Sequence, residues 1–352
     1  MEVNMNKCIY LKETDLKQSF EKQEHIFPAG IGGIRKLNKG VVCDKVNGEI
    51  FSKMELDFMR NSLIALPRQI QGPGKRGSLI EKKSTKSNIH VVSRNEELSD
   101  VSLGYIKLGK PYQIPQFKVI DETEIQIIFD QSDGDYSDQL VNFIDNLKDF
   151  DDKYILIVEK NIPINQLLFG NFESKWYLGV HENSFSYPLS DIINKLVNKR
   201  YSNEKPQFNA TQVTCHQHMV FNIEKFNRVC AKTVFNFLAF SHGSDFVLQE
   251  KFDSIREWII NGGNDKFVNL LDKGNRNIKM IKNIDFPDES HKILINKVDN
   301  RLVGLLTLYG ESFEVAVILC DNFTDKFVVN GYICDWKNKK EYTLMEYITL
   351  HL

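Results

Sequence analysis

The chain lacks the features that announce most function classes. Its six cysteines, at positions 8, 43, 215, 230, 320 and 334, are scattered and form no disulfide framework, which points to a reducing compartment. No stretch approaches the ~18 consecutive apolar residues of a membrane helix, and residues 1–7 hold no apolar signal region. These absences lead us to expect a soluble, cytoplasmic protein with no membrane partner. Charge of one sign is also missing: 45 Lys plus Arg stand against 47 Asp plus Glu, a net charge of −2, so bulk polycationic character is ruled out. There is no Walker phosphate loop, no dinucleotide-binding glycine fingerprint at a strand-to-helix turn, and no nucleophile elbow.

What is present is concentrated between Cys8 and Arg76. Glu24-His25-Ile26-Phe27-Pro28 precedes Gly32-Gly33, and Cys43 and Asn47 follow. Metal-dependent phosphodiester cleavage needs a divalent cation on the scissile phosphate and a neutral imidazole that takes a proton from water. Glu24 and His25 can divide those tasks if the backbone bends after them, and Pro28, Gly30, Gly32 and Gly33 supply the bend. From Gly48 to Leu66, Ile50, Phe51, Met54, Phe58, Leu63 and Leu66 recur at roughly helical spacing. The pattern predicts a helix N-capped by Asn47 and ended by Pro67.

This segment resembles the HNH nucleases of the ββα-metal type, in particular the bacterial subgroup that reads Cys-Ile-Tyr-Cys, Glu-His-Ile-Ile-Pro with Gly-Gly, then Val-Cys-x-x-Cys-Asn-Asn before a helix. The matching residues are Cys8-Ile9-Tyr10-Leu11, Glu24-His25-Ile26-Phe27-Pro28, Gly32-Gly33 and Val42-Cys43-Asp44-Lys45-Val46-Asn47-Gly48. The resemblance implies His25 as general base, Glu24 and Asn47 beside one Mg²⁺ or Mn²⁺, and Asn38 as the residue orienting the histidine. In relatives with both Cys-x-x-Cys pairs four thiolates would hold a structural zinc. Here Leu11 and Val46 take the second position of each pair, and two thiols do not make a tetrahedral site. We therefore expect no structural zinc, and apolar packing of Ile9, Leu11, Val41, Val42 and Val46 in its place. The second asparagine of the pattern is Gly48, which removes one polar contact.

Between Arg60 and Arg94 the chain carries eight basic residues and one acid, Glu81. Arg68, Lys75, Arg76, Lys82 and Lys83 are candidate phosphate contacts, with Gly72–Gly77 read as a flexible basic loop. A solvated connector is the competing reading. From Asp121 to Asp152 the sign reverses, with eleven acids and only Lys148 as a base, which argues against DNA contact there. Asp130, Asp133, Asp135 and Asp138 resemble a calcium loop in spacing, but Gly134 and Val141 stand where ligands five and twelve would be, so a solvated acidic loop is the reading.

With 352 residues and 42% hydrophobic content, the chain can bury a sizeable core and divide into two or three domains. The expected organisation is α+β throughout: an HNH-like ββα module with its basic loop at 1–95, an α+β middle domain at 96–203, and an α+β C-terminal domain at 204–352. Strands are expected at Tyr105 to Leu108, Phe117 to Ile120, Glu124 to Phe129 and Tyr154 to Val158, with a helix from Ser137 to Leu147. Ser202-Asn203-Glu204-Lys205-Pro206 reads as a linker and Thr211 to Val220 as a strand.

Two helices follow, Glu224 to Phe240 and Phe252 to Ile260, the second ended by Gly262-Gly263. Strands Lys292 to Asn296, Leu302 to Leu308, Phe313 to Leu319 and Phe327 to Tyr332 close the chain. The order Arg228, Lys232, Phe252, Ile255-Arg256 and Gly262-Gly263 resembles the C-terminal part of long bacterial HNH proteins. Arg228 and Lys232, one turn apart, are read as a solvated or carboxylate-paired face ahead of a phosphate site. His216 and His218 share one face of a strand, but no third metal ligand is identifiable and ordinary histidines are the preferred reading.

Two functional readings follow. The first is a metal-dependent HNH endonuclease hydrolysing DNA, in a bacterial or phage-defence setting, whose later domains take an activating ligand or partner protein. The second is a catalytically inactive HNH fold that binds nucleic acid or a partner.

Overall fold

The computed structural model describes residues 5–93, 101–120, 124–129, 135–184, 189–198, 214–216, 221–271, 284–310 and 312–351. The fold is α+β. It divides into two compact units, one made of residues 1–85 together with 219–352, the other of residues 86–218. The sequence suggested three consecutive domains; in the structure the first and last segments share one core and the middle segment is an insertion. The proposed 202–206 linker lies outside the described residues.

In chain order, turns lead to α1 (Ser52–Arg60) and α2 (Ala65–Ile70). The insertion runs β1 (His90–Ser93), β2 (Val101–Lys107), β3 (Lys110–Gln113), β4 (Gln116–Val119), β5 (Ile125–Ile128), α3 (Tyr136–Lys148), β6 (Ile155–Val158), β7 (Leu167–Phe172), β8 (Lys175–Val180), α4 (Leu189–Val197) and β9 (Thr214–His216). The returning chain forms α5 (Ile223–His242), α6 (Ser244–Val247), α7 (Asp253–Asn261), β10 (Val268–Leu270), β11 (His291–Val298), β12 (Arg301–Leu308), β13 (Phe313–Cys320), β14 (Asn330–Asp335), β15 (Lys340–Thr343) and α8 (Leu344–His351).

Helix α5 organises the first unit. It is capped by the Asn222 side chain, which accepts from the Lys225 N–H at 2.9 Å. Nearly every residue from Phe226 to Ala239 is buried, the mark of a helix enclosed on all sides. One side packs on an antiparallel sheet of order β10-β13-β12-β11-β14-β15. Gly304 permits that approach: a Cβ there would lie 2.2 Å from Val234 Cγ1. Helices α1 and α7 also pack on α5, and one hydrophobic cluster runs from Cys8 and Ile9 through Phe51 and Phe58 to Phe235, Leu306 and Trp336. Strands β12 and β13 are joined by a turn in which Tyr309 and Gly310 both take positive φ (52° and 70°).

The inserted unit stacks three layers. An antiparallel sheet β3-β2-β1-β9 meets one face of a mixed sheet β5-β4-β7-β8-β6, and α3 and α4 meet the other. Alternation along β7 explains this: Leu167 and Phe169 face the helices, whereas Leu168 faces the second sheet. The acidic run from Asp121 proves partly architectural, because Asp135 caps α3 by accepting the Ser137 N–H at 2.7 Å; Asp130 and Asp133 lie outside the described residues. The first and last strands of the insertion are paired, Val91 opposite His216 and Ser93 opposite Thr214. His218 lies outside the described residues. No described helix is long and apolar enough to cross a membrane.

Candidate active site

The motif segment forms a bent hairpin followed by a helix. Leu37 N–H donates to Glu24 O (2.7 Å) and Ile26 N–H to Arg35 O (3.1 Å), so residues 24–26 and 35–37 run antiparallel, with His25 opposite Lys36. The turn between them is a 3₁₀ segment, Ala29–Ile31, closed by Gly32 at φ 102°. A Cβ on Gly33 would sit 1.9 Å from Phe27 O, so this close backbone crossing requires glycine.

The helix begins earlier than the sequence suggested. Asn47 N–H already bonds Cys43 O at 3.1 Å, and the turn from Val46 to Phe51 is widened to π geometry before α1. Asn47 is therefore inside the first turns and is not an N-cap. Asp44 uses its carboxylate outward, accepting the N–H groups of Glu21 (3.0 Å) and Lys22 (2.8 Å). Pro67 does not end this helix either: α1 stops at Arg60, and Pro67 sits in the first turn of α2, where no donor is needed.

Glu24 is buried, 5% exposed, and its carboxylate is ion-paired with Lys232 of α5; the same ammonium pairs Glu55 of α1. Burial raises the Glu24 pKa, opposed by Lys232 and reinforced by Glu55. Burial works against the Lys232 charge, yet the two carboxylates hold its pKa above the usual lysine value. Two carboxylates thus share one ammonium, and the trio is short of positive charge. Next along α5, Asn236 donates to His25 O (2.8 Å) and accepts from Tyr10 OH (2.6 Å). Of the reading of Lys232 as part of a solvated or carboxylate-paired face, the carboxylate pairing holds, but the side chain is buried and not solvated, and the residues that pair with it were not foreseen. Arg228 pairs Glu224 at 3.3 Å and donates to Ile259 O at 2.9 Å and to Ile260 O.

The His25 ring is half-buried and has no hydrogen-bond partner among the described residues. Burial, then the positive charges of Lys36 and Lys232, lower its pKa to about 4, so it is a neutral imidazole at ordinary pH. The Asn47 amide is likewise half-buried and unbonded among the described residues. Asn38 is exposed and makes no side-chain bond to His25; the hairpin places it beyond the paired residues, so it does not orient the ring.

Among the described residues no group of three or more His, Cys, Asp or Glu side chains is arranged to hold a metal ion. The donors at hand are the Glu24 carboxylate and the Asn47 amide. The Glu24 carboxylate is already paired with Lys232 and no described contact joins it to Asn47, so the two do not form a ready cation site among the described residues. At the positions matching the zinc pairs, Cys43 N–H donates to Cys8 Sγ at 3.4 Å. The hydrogen bond from the Cys43 thiol draws the Cys8 pKa down to about 6 and pushes that of Cys43 up. Ile9, Val42 and Val46 are buried around them, with Leu11 and Val41 packed on the same cluster.

The basic residues separate into two classes. Arg68 is 5% exposed and donates to Gly30 O (3.0 Å), Met59 O (3.0 Å) and Gly74 O (3.4 Å). It ties the hairpin turn to α1 and to the basic segment, and its burial removes it from the set of exposed phosphate contacts. Lys75, Arg76, Lys82 and Lys83 are exposed. Their backbone is anchored rather than loose: Gly74 packs against the Lys83 carbonyl and Gly77 against the Ala29 carbonyl. An open depression of about 550 Å³ beside the helix start is lined by Lys17, Lys22 and Lys45 together with Asp44 and Glu49, a mixed-charge surface. The chain matches no family model, no curated protein and no solved structure.

Proposed function

We propose that this chain is a metal-dependent endonuclease of the HNH kind acting on DNA, with His25 as general base. The observation that carries the reading is the state of His25: a neutral, half-open imidazole, unbonded among the described residues, on a hairpin held by backbone bonds. Such a ring is in the right form to accept a proton from water. Asn236 and the Leu37–Glu24 backbone bond hold the His25 backbone in place, so the ring is carried on a fixed segment. Glu24 and Asn47 would hold one Mg²⁺ or Mn²⁺ once Glu24 releases Lys232, and the ion when bound supplies positive charge to the phosphate and its leaving oxygen. Lys75, Arg76, Lys82 and Lys83 would track the backbone of the substrate without reading its bases.

The test is cleavage of supercoiled plasmid by the full chain with Mg²⁺, Mn²⁺ or EDTA, beside His25→Ala and Asn47→Ala. Metal-dependent nicking or linearisation lost in His25→Ala, with DNA binding retained, is the expected result. A second reading, a binding protein that keeps the ββα shape, is favoured by one observation: Glu24 is already committed to Lys232. Binding that depends on Lys75 and Arg76, with no cleavage under any divalent ion, would establish that reading in place of the first.

A further inference from the structure

From Gly74 to Ser84 the chain forms a closed hook on the first unit. Its two ends touch, since a Cβ on Gly74 would lie 2.1 Å from Lys83 O. Between them two 3₁₀ turns, Lys75–Gly77 and Glu81–Lys83, flank a tip, Ser78-Leu79-Ile80, whose first and last residues are extended. Backbone bonds brace both flanks: Gly74 N–H donates to Ser78 O (2.8 Å), Lys83 N–H to Ile80 O (2.9 Å) and Ser84 N–H to Glu81 O (3.0 Å). The foot of the hook is fixed as well. Arg68 holds Gly74 O and Gly30 O together, and Gly77 packs on the Ala29 carbonyl.

That braced tip keeps two large apolar side chains in water. Leu79 is 44% and Ile80 60% exposed, and neither joins a hydrophobic cluster of the described residues. On either side of them in sequence, Lys75, Arg76, Lys82 and Lys83 are exposed and have no ion-pair partner among the described residues. Glu81 is the one acid in the hook. Exposed apolar residues are ordinary by themselves, but an apolar tip between unpaired cations is complementary to a polyanion with an apolar interior.

The size of the tip selects among such partners. Two side chains fall far short of the about 800 Å² that each partner of a stable protein interface buries. They also anchor poorly in lipid, where even a whole myristoyl chain gives marginal binding. A duplex asks for less, because its phosphates supply the affinity and a small apolar wedge suffices to open one base step. The hook is also tied through Arg68 and Gly77 to the turn that follows His25, so a polyanion held there runs beside the candidate active site.

We propose that the hook is a DNA wedge: its four cations take phosphates flanking the minor groove, and Leu79 and Ile80 enter between base pairs, unstacking one step and kinking the duplex. This rests on the reading of the chain as a DNA-acting protein. It gives a preference for easily unstacked TA and CA/TG steps without any hydrogen bond to a base.

The test uses the full chain in EDTA, so that no cleavage is needed, with an alternating adenine–thymine duplex in which 2-aminopurine replaces one adenine. The fluorescence of this base rises when its stack opens. Wild type should bind and raise it. Leu79→Ser with Ile80→Ser, at exposed positions and melting like the wild type, should bind about tenfold more weakly, with an unchanged salt slope and no rise. Wild-type binding without a rise, or an equal rise in the variant, overturns the wedge. So does vesicle binding that depends on Leu79 and Ile80, on phosphatidylserine membranes, by a chain that does not bind the duplex. Plasmid nicking without a fluorescence rise would refute the wedge alone, and a rise without nicking in any divalent ion would refute the nuclease reading alone.

Discussion

The Lys232 ammonium and the Glu24 carboxylate form a buried ion pair across 208 residues of chain, their side chains 0% and 6% exposed. Because Glu55 shares the same ammonium, removing it strands two carboxylates at once. Lys232→Met should destabilise the first unit by about 3–5 kcal/mol, read from urea unfolding. Adding Glu24→Gln should recover part of the loss, since the neutral amide needs no counter-charge. Equal stability of Lys232→Met and wild type would mean that the pair contributes nothing to folding.

Arg68 and its neighbours Lys75 and Arg76 should separate cleanly in experiment. Arg68→Lys cannot reproduce three bonds to Gly30, Met59 and Gly74, and we expect a loss of about 2–4 kcal/mol of stability. Below its melting temperature this variant should bind DNA as the wild type does. Lys75→Ala with Arg76→Ala should melt normally and reduce the salt dependence of DNA binding, log K against log salt, by about 2. A fluorescence anisotropy titration at several salt concentrations decides between these outcomes.

Acid should weaken the fold through His291. Its ring is fully buried, bonded to Ile31 O and to the Tyr309 N–H, both at 3.0 Å, and burial pushes its pKa to about 3. An unfolded chain takes up that proton near pH 6.5, whereas the native state refuses it until about pH 3. Native stability is therefore complete above about pH 6.5 and falls as pH drops towards 3, by up to about 1.4 kcal/mol per pH unit for this one group. His90, pushed to about 4 by burial, adds in the same sense. Unfolding free energies at pH 7, 6 and 5 should fall in that order, and His291→Gln should flatten the slope while lowering stability at pH 7.

The insertion should be removable. Since β1 and β9 pair, the strands that begin and end it lie side by side. Replacing residues 88–216 by a short Gly-Ser linker should leave a monodisperse unit with a cooperative thermal transition. Aggregation of that shortened chain would show that the insertion is needed for the first unit to fold.

Much of the fold was legible because its signals are local. The apolar stripes of α5 and α7, the terminating Gly262 and the alternating strands β11 to β13 all follow from residues near one another in sequence. What escaped depends on partners far away. Arg68 looked like one of a run of phosphate contacts, and only the folded chain shows Gly30 and Gly74 beside it. Asn47 was mistaken for a cap because hydrophobic spacing alone does not register a helix that opens at Asp44 and widens by one residue per turn. Lys232 did leave a trace: Arg228, Lys232 and Asn236 recur every fourth residue, and Lys232 and Asn236 stand in a stretch, Val229 to Ala239, that is apolar but for them and Thr233. Which carboxylates would answer it could not be read, since Glu24 and Glu55 belong to the other end of the chain.

That dependence of the hairpin on α5 bears on how the protein is born. During synthesis the motif segment leaves the ribosome long before residues 232–256 exist. Until they do, Glu24, the Asn236-anchored His25 backbone and the Ile9 carbonyl bound by Arg256 have no partners. A truncated or unfinished chain would keep the local bonds of the hairpin yet lack the α5 partners that fix Glu24 and the His25 carbonyl. Completion of translation thereby becomes a condition for assembling this buried centre.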